Sequence, residues 1–509
     1  MTMSRSILKN TFSGYLRFLV PSVIGMLLAP YIITHIGVSA YGLWALVLSV
    51  TGYFALMDMG FGQAIVRYVA MNKAAGSREE VDRLVSTFLL VYGLVACVIL
   101  IATLLLSINF PRFFRVSPQE ASISQWAFLI SGLGIALRFP LNIFGGLLYG
   151  YQRYDLAFGT EVFFYTVNAV LTVVLLNLGY GLLALMLVAS GTSLAAAVVI
   201  AFHAFRVVGR MKISLRQFQW HKVTEILSFS IFFSMVSLAV MISHRSDAIV
   251  IGVFLPTSAV AVYAISLKLA ELVSNLAGQL NNILFPVAAE LHALGDLSKV
   301  REVLLEGSRL SLTLAAGLGM GLVAIGRPFV GLWVGPEFLA GYTVLIVLTA
   351  VVVVAVAQDL PSKVLMITGR QRVLAGISLL GALVNALLSI ILVQSLGILG
   401  VALGTLIPFF AVACFNTAYA CRCVGLRTRS FFLALVFPGL VPGLMAGAVL
   451  WLLQAWRYPQ SWFALGWQGA IGVFFFGAAC LALGIVRPSR QAILARIRPR
   501  LIMANLRLK

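Results

Sequence analysis

Long apolar runs separated by short polar breaks dominate this chain. A bilayer core about 30 Å thick is crossed by roughly 20 apolar residues in a helix. Fourteen runs meet this length, centred on residues 12–34, 42–66, 84–107, 123–149, 157–177, 180–204, 224–253, 258–289, 308–326, 339–358, 373–394, 396–420, 431–454 and 464–486. Every predicted loop between them is under about twenty residues. The pattern therefore predicts an all-α integral membrane protein with about 14 transmembrane helices and no soluble catalytic domain.

Positive charge is distributed unevenly among the loops. If the N-terminus is cytoplasmic, 29 of the 36 Lys and Arg residues lie in cytoplasmic segments, four lie on the opposite side and three lie inside helices. Short cytoplasmic loops carry such an excess of Lys and Arg. The asymmetry predicts an even number of helices with both termini in the cytoplasm. Arg5 and Lys9 precede an apolar run too long for a signal-peptide core, so the first helix is expected to be an uncleaved signal anchor.

Composition supports the membrane prediction and removes several function classes. The chain is 61% hydrophobic and 10% charged, with a mean hydropathy of +1.03. So few polar groups could not cover a soluble protein of 509 residues. The net charge of +20 therefore reflects the loops and the basic tail at 487–509, which is expected to lie on anionic lipid, and no nucleic-acid partner is predicted. The five cysteines form no disulfide framework, and no metal site or cofactor is predicted.

Short motifs recur at a nearly constant spacing. Gly150-x-Gln152-Arg153 returns as Gly369-x-Gln371-Arg372, an offset of 219, and Leu178-Gly179 returns as Leu396-Gly397, an offset of 218. Two further matches, at 167–169 and 39–40, have offsets of 217 and 219. The period corresponds to six helices, so we expect two six-helix lobes in pseudo-twofold repeat plus two extra C-terminal helices. The predicted domains are an N-terminal lobe at 1–215, a C-terminal lobe at 216–425, accessory helices at 426–486 and a basic cytoplasmic tail at 487–509.

The eighth apolar run carries polar side chains on one face. At 100° per residue its five polar positions fall within an arc of about 80°; they are Lys268, Glu271, Asn275, Gln279 and Asn282. A narrow polar stripe at membrane depth faces a water-filled cavity or a protein partner rather than lipid. Two interpretations stay open: a cavity wall with Lys268 near the membrane midplane, or a Lys268–Glu271 pair that only satisfies itself.

The seventh run ends in a charged cluster. Arg245 could bind a phosphate through its planar fork, with Asp247 as counter-ion or proton carrier. Alternatively, the two residues form a structural ion pair that anchors a helix end near the headgroups. His244 could titrate near neutral pH.

Five further charged residues lie in or near apolar runs. Arg17 either snorkels to the headgroups or contacts an anionic substrate first. Arg138, followed by Pro140, either lines a cavity or forms an interhelical pair. Asp58 and Arg67 flank a Gly-rich segment at the inner end of the second run, where Arg67 can also be a plain positive-inside anchor. Glu161 could be a helix N-terminal carboxylate.

Two segments near the N-terminus carry a family resemblance. They read Gly37-Val-Ser-Ala-Tyr-Gly-Leu-Trp44 and Asp58-Met-Gly-Phe-Gly-Gln-Ala-Ile-Val-Arg67-Tyr-Val-Ala70. These motifs, with the helix count, repeat and loop lengths, resemble Wzx-type polysaccharide biosynthesis (O-antigen) flippases of the multidrug/oligosaccharidyl-lipid/polysaccharide (MOP) exporter superfamily. The resemblance implies a non-enzymatic flippase of the bacterial inner membrane that moves polyprenyl-pyrophosphate-linked sugar units to the periplasmic leaflet by alternating access.

The resemblance also assigns roles to the charged residues as expectations. Substrate-binding candidates are Lys268, Arg245, Glu271, Asn275, Gln279, Arg17 and Arg138. Ion-coupling candidates are Asp247, Asp58 and Glu271, because the resemblance implies a proton or sodium gradient. Expected partners are the lipid-linked glycan, membrane lipids and a polysaccharide polymerase or export machinery. The alternatives are a lipid II flippase of peptidoglycan synthesis and a cation-coupled multidrug antiporter.

Overall fold

The chain folds as a series of long helices. The computed structural model describes residues 2–484, without the side chains of residues 2–19, 215, 228–233, 236–237, 240 and 243–244. The described part contains no β-strand. The predicted tail at 487–509 and the side chains of Arg17 and His244 lie outside the described residues.

Fourteen α-helices follow one another along the described residues. They are α1 (Thr2–Gly52), α2 (Phe61–Ala74), α3 (Arg78–Phe113), α4 (Ala121–Arg138), α5 (Asn142–Gly150), α6 (Tyr154–Asn177), α7 (Leu182–Val208), α8 (Trp220–Phe254), α9 (Thr257–Ala293), α10 (Leu297–Trp333), α11 (Tyr342–Ile367), α12 (Gln371–Cys423), α13 (Thr428–Trp456) and α14 (Trp462–Ala482). Short 3₁₀ segments lie at Tyr53–Asp58, Phe139–Leu141, Leu215–Gln217 and Pro336–Gly341. Each of the fourteen predicted apolar runs overlaps one or more of these helices.

Eleven helical segments of the described residues are long and apolar enough to cross a membrane. Two of them are too long for one crossing: Val20–Ala74 has 55 residues and Gln371–Cys423 has 53, against roughly 20 for one span. Inside α1 and α12 the backbone leaves helical geometry at one glycine each, Gly37 (φ 82°) and Gly397 (φ 58°). Dividing both and adding α8, which is 35 residues long, is compatible with fourteen crossings. The predicted all-α membrane fold is confirmed.

Two compact units divide the chain, one ending at Ala264 and the other beginning at Ile265. In the first unit, α4 packs against α3 and α7, and α6 packs against α1 and α7. In the second, α10 packs against α11 and α13, and α11 against α12. The domain boundaries given above, with a division at residue 215, stay a prediction.

Repeat-related turns in the two units share an unusual backbone conformation. Gly76 and Gly295, 219 residues apart, have φ of 69° and 74°. Gly179 and Gly397, 218 apart, have φ of 82° and 58°. Residues with a Cβ rarely adopt positive φ, which accounts for glycine at both members of each pair. The turns that reverse the chain are therefore built alike at the spacing of the sequence repeat.

In each unit, an arginine joins the start of one helix to the end of another. Arg78, at the start of α3, donates through Nη2 to the Val208 carbonyl at the end of α7 (2.7 Å). Arg301, in the first turns of α10, donates through Nε to the Val424 carbonyl after α12. The last carbonyls of a helix lack intrahelical partners and favour a nearby cation. Each arginine therefore joins the third helix of its repeat to the end of the sixth.

Candidate substrate pathway

Helix α9 presents its polar stripe on an open face. Glu271, Asn275, Gln279 and Asn282 are exposed, and Lys268 is half-buried. Other positions of the same helix are buried; they are Leu269, Ala270, Val273, Ala277, Asn281, Leu284 and Ala288. The helix therefore uses its apolar face for packing and leaves the polar face unpacked, as the 3.6-residue period predicts.

Lys268 and Glu271 interact electrostatically across one turn of α9. The Lys268 ammonium and the Glu271 carboxylate attract each other as opposite charges. Lys268 and Glu271 therefore do interact, but both lie on the same open face as Asn275 and Gln279. An ion pair on an open face can still bind a ligand, so pairing does not remove Lys268 from the candidate pathway.

A second lysine extends the polar face beyond what the sequence indicated. Lys363 on α11 donates through Nζ to Asn282 Oδ1 and to Asp359 Oδ2, both at 2.8 Å. In the sequence, Lys363 is one of the 29 Lys and Arg residues of the predicted cytoplasmic segments and is not among the substrate-binding candidates. The signal that could have found it is the i,i+4 spacing of Asp359 and Lys363 at the end of an apolar run.

Asn281, on the buried side of α9, forms hydrogen bonds to two neighbouring helices. Its amide nitrogen donates to the Val356 carbonyl of α11 (3.0 Å), and its amide oxygen accepts from the Ser311 hydroxyl of α10 (2.6 Å). The side chain is fully buried. One amide therefore ties α9 to two neighbouring helices.

Replacing Asn281 with leucine should destabilise the protein by about 1–3 kcal/mol, because the buried Ser311 hydroxyl would lose its acceptor. The measurement is the thermal unfolding midpoint of the detergent-purified protein. Asn275→Leu, on the exposed face of the same helix, is the matched control and should leave the midpoint nearly unchanged. Equal midpoints for both variants would contradict this role of Asn281.

The second apolar run is broken at membrane depth. Helix α1 ends at Gly52, a 3₁₀ segment follows, Met59 (φ 49°) and Gly60 (φ 74°) are left-handed, and α2 begins at Phe61. Non-helical backbone within a membrane is tolerated only where protein or a water-filled cavity satisfies its polar groups. The apolar pattern of residues 42–66 predicted one helix, and this break was not predicted.

Asp58 is held at the break by two hydrogen bonds. Its carboxylate accepts from the Tyr92 hydroxyl (2.6 Å) and from the Gly62 N–H at the start of α2 (3.2 Å). A carboxylate in this position accepts a hydrogen bond from an N–H that has no partner within the helix. Its negative charge is also stabilised by the positive end of the helix dipole. Asp58 therefore has a structural task whether or not it also carries a coupling ion.

Arg245 lies on the other side of the break. Its Nη1 donates to the Leu48 carbonyl in the last turn of α1 (3.1 Å), and the guanidinium is exposed. A Cβ at Gly52 would lie 2.6 Å from that nitrogen, so glycine makes room for the arginine. The cation thus lies at the negative end of a half-helix.

Asp247 is bound elsewhere. Its carboxylate, which is buried, accepts a hydrogen bond from the Tyr263 hydroxyl of α9. Two residues apart on a helix point about 200° apart, which gives Arg245 and Asp247 different neighbours. Whether Arg245 binds a phosphate and whether Asp247 has a structural role are therefore two separate questions.

Arg138 lines a cavity of about 170 Å³ inside the first unit. Its polar wall also includes Gln63, Asn142 and Glu161, from three other helices. Arg138 Nη1 donates to the Ser193 hydroxyl of α7 (2.6 Å), so both interpretations of this arginine hold: an interhelical bond and a cavity contact. The Phe139–Leu141 3₁₀ segment containing Pro140 directly follows it.

Comparison with known proteins decides the family. A family model described as polysaccharide biosynthesis protein matches residues 7–292, more than half of the chain. The chain belongs to the polysaccharide biosynthesis protein family. The predicted membership, drawn from the motifs at 37–44 and 58–70, is therefore confirmed, and both motifs lie inside the matched region.

Three relatives illustrate how far the similarity extends. "Uncharacterized membrane protein EpsK" of Bacillus subtilis is 22% identical over 494 residues, covering 96% of this chain and 97% of that protein. "Probable flippase AglR" of Haloferax volcanii is 23% identical over 388 residues, covering 75% and 77%. A "putative O-antigen transporter" of Shigella flexneri is 20% identical over 151 residues, covering 30% and 36%.

Solved structures share the fold of this family member. The "lipid II flippase MurJ, inward closed conformation" has a TM-score of 0.71 at 15% identity, covering 93% of this chain and 98% of that one. An "inward-facing conformation of a multidrug resistance MATE family transporter of the MOP superfamily" has a TM-score of 0.66 at 15% identity, covering 81% and 98%. The MOP fold expected from the resemblance is confirmed, and these structures carry no argument about substrate.

Proposed function

We propose that this polysaccharide biosynthesis family protein is a flippase that moves polyprenyl-pyrophosphate-linked sugar units from the cytoplasmic to the periplasmic leaflet by alternating access. The observation that carries the proposal is the open polar face of α9, with Lys268 on a helix otherwise used for apolar packing. Such a face is costly in a membrane-spanning helix unless a polar cargo or water contacts it. The names of the relatives as flippases and O-antigen transporter support the same class of cargo.

Each part of the substrate has a chemical counterpart on this face. The Lys268 ammonium would offset the charge of the pyrophosphate. Asn275 and Gln279 offer both donors and acceptors for sugar hydroxyls. The polyprenyl chain would stay in the surrounding lipid, since burying it in a polar path would cost hydrophobic free energy. Arg245, with its exposed guanidinium, is a separate cationic contact; Arg17 and Arg138 are further candidates.

Transport would be coupled to a proton or sodium gradient through Glu271, Asp58 or Asp247. Glu271 is exposed beside Lys268, so a change in its charge would change the affinity of the lysine for an anion. Asp58 and Asp247 each accept from a tyrosine hydroxyl. We place the protein in the bacterial inner membrane with both termini cytoplasmic, on the Lys and Arg asymmetry of its loops. A polysaccharide polymerase or export complex would receive the product.

Deleting the gene tests the proposal directly. Polyprenyl-pyrophosphate-linked oligosaccharide should accumulate in the cytoplasmic leaflet while surface polysaccharide falls, and mass spectrometry of extracted lipids measures the intermediate. Accumulation of lipid II instead would assign the protein to peptidoglycan synthesis. Unchanged lipid intermediates together with increased drug sensitivity would assign it to drug export.

A further inference from the structure

Lys363 stands at one end of the α9 polar face, where its side chain is largely enclosed. The exposed fraction is 17% for the Lys363 side chain and 36% for its partner Asp359. Asn282 Oδ1 and Asp359 Oδ2 accept from the ammonium at 2.8 Å each. The lysine is thus held in one position by a neighbour on α9 and a neighbour on its own helix.

The Lys363 ammonium uses two of its three N–H groups in the hydrogen bonds described above. A lysine ammonium carries three N–H groups, and no third described acceptor binds Lys363. An oriented ammonium with a donor to spare is a suitable ligand for a phosphate oxygen, because the entropy of positioning the long side chain is already lost in the free protein.

The spacing of the two lysines matches a stepwise path. Asn282 follows Lys268 by fourteen residues on the same face of α9, which is about 21 Å at 1.5 Å per residue. The polar face therefore has an ammonium near each end, with Glu271, Asn275 and Gln279 between them. Lys363 lies near the α11 end that the loop charges predict to be cytoplasmic.

We propose that Lys363 is the first pyrophosphate-binding residue on this path, with Asp359 as an exchangeable counter-ion, and that the head group passes from Lys363 to Lys268. This inference rests on the flippase function proposed above and names the residue that first contacts the substrate. Asp359 is the more exposed member of the pair, so a phosphate oxygen can displace it while Asn282 keeps the ammonium in place.

The exchange explains why a carboxylate lies next to a substrate-binding lysine. Without substrate, Asp359 neutralises a cation that would be costly to leave unpaired in its largely enclosed position. When the pyrophosphate leaves toward Lys268, the carboxylate returns and lowers the affinity for the departed anion. A flippase needs this property, since a site that binds too tightly would retain its cargo.

Binding to purified full-length protein tests the inference. The probe is geranylgeranyl pyrophosphate in detergent, with geranylgeraniol as the uncharged control ligand, and calorimetric titration measures the affinity. Lys363→Met should weaken pyrophosphate binding about tenfold or more. Lys363→Arg should stay within about threefold of wild type, and Asp359→Asn should bind more tightly than wild type, because its side chain carries no charge to compete with the phosphate.

The thermal unfolding midpoint of each variant separates binding from stability. If the Lys363–Asp359 pair only joins helices, Lys363→Met and Asp359→Asn will lower the midpoint alike, both will keep wild-type affinity, and the inference is wrong. If Lys363→Met is too unstable to purify, a stronger affinity of Asp359→Asn supports the inference, and an equal or weaker one overturns it. Wild-type protein that does not prefer the pyrophosphate to the alcohol would reject the flippase proposal and this inference together.

Discussion

Replacing Lys268 with alanine should reduce surface-polysaccharide export about ten- to a hundredfold while leaving membrane insertion intact. Hydrogen bonds to charged groups contribute about 1.5–3 kcal/mol, and 1.4 kcal/mol is a factor of ten. The fully buried positions of α9 are occupied by other residues, such as Leu269 and Val273, so the variant should still fold and insert. The measurement is surface polysaccharide in a deletion strain that expresses the variant, normalised to the amount of protein in the membrane.

Two further variants make this test specific for positive charge. Lys268→Arg keeps the cation and should retain most export, whereas Lys268→Gln keeps polarity without charge and should behave like alanine. Arg245→Ala should also impair export, since its exposed guanidinium is a second candidate contact. Full export by the Lys268→Ala, Arg245→Ala double variant would remove both residues from the mechanism.

Replacing Gly42 with alanine should destabilise the protein, although glycine-to-alanine changes within helices usually stabilise by up to about 1 kcal/mol. A Cβ at Gly42 would lie 1.8 Å from the Thr257 carbonyl oxygen and 3.1 Å from the Ala261 nitrogen. Because these are backbone atoms, no side-chain rotation can relieve the clash. We expect the cost of overpacking, about 1–3 kcal/mol, and a lower thermal unfolding midpoint.

The contact between α1 and the start of α9 also has a polar part. Ser39 Oγ lies 2.8 Å from Thr257 Oγ1, so separating the two helices would break this bond as well. Gly93→Ala on α3 is the matched control, since a Cβ there meets no atom within 4 Å. An unfolding midpoint for Gly42→Ala at or above that of Gly93→Ala would show that the two backbones are not in close contact.

Two segments related by the internal repeat differ in backbone conformation. With the offset of 219, the interrupted segment 53–60 corresponds to 272–279, which in α9 is continuous helix and carries Asn275 and Gln279. The second apolar run, which corresponds to α9 in the repeat, also has no counterpart of Lys268. The structure adds that this run is interrupted at the positions where α9 carries its polar face.

Much of the fold could be predicted from sequence alone. A helix that crosses lipid must satisfy its backbone internally and be apolar over a fixed length, so the fourteen runs could be read one at a time. The polar face of α9 could be predicted for the same reason: angular spacing within one helix is local geometry. Gly179 and Gly397 recurred at the repeat spacing in the sequence, and the structure shows that both have a positive φ, which glycine adopts readily.

The break in the second run was not predictable in this way. Residues 53–60 are as apolar as their surroundings apart from Asp58, and Gly52 and Gly60 could equally have been helix-packing glycines. The break depends on partners from other helices: the Tyr92 hydroxyl for Asp58, and Arg245 for the Leu48 carbonyl. Those partners are 34 and 197 residues away in sequence.

By itself, the sequence determined that this protein is an all-α membrane protein of the polysaccharide biosynthesis family, and it showed that Lys268 and Arg245 needed a reason to lie within apolar runs. Only the tertiary structure decided what each charge contacts: Arg245 a helix end, Asp247 a tyrosine, Arg138 a cavity, and Lys363 the far end of the α9 polar face. The physical reason is that the cost of an intramembrane charge depends on the residue type, which is visible in sequence. The partner that offsets this cost depends on which helices are neighbours.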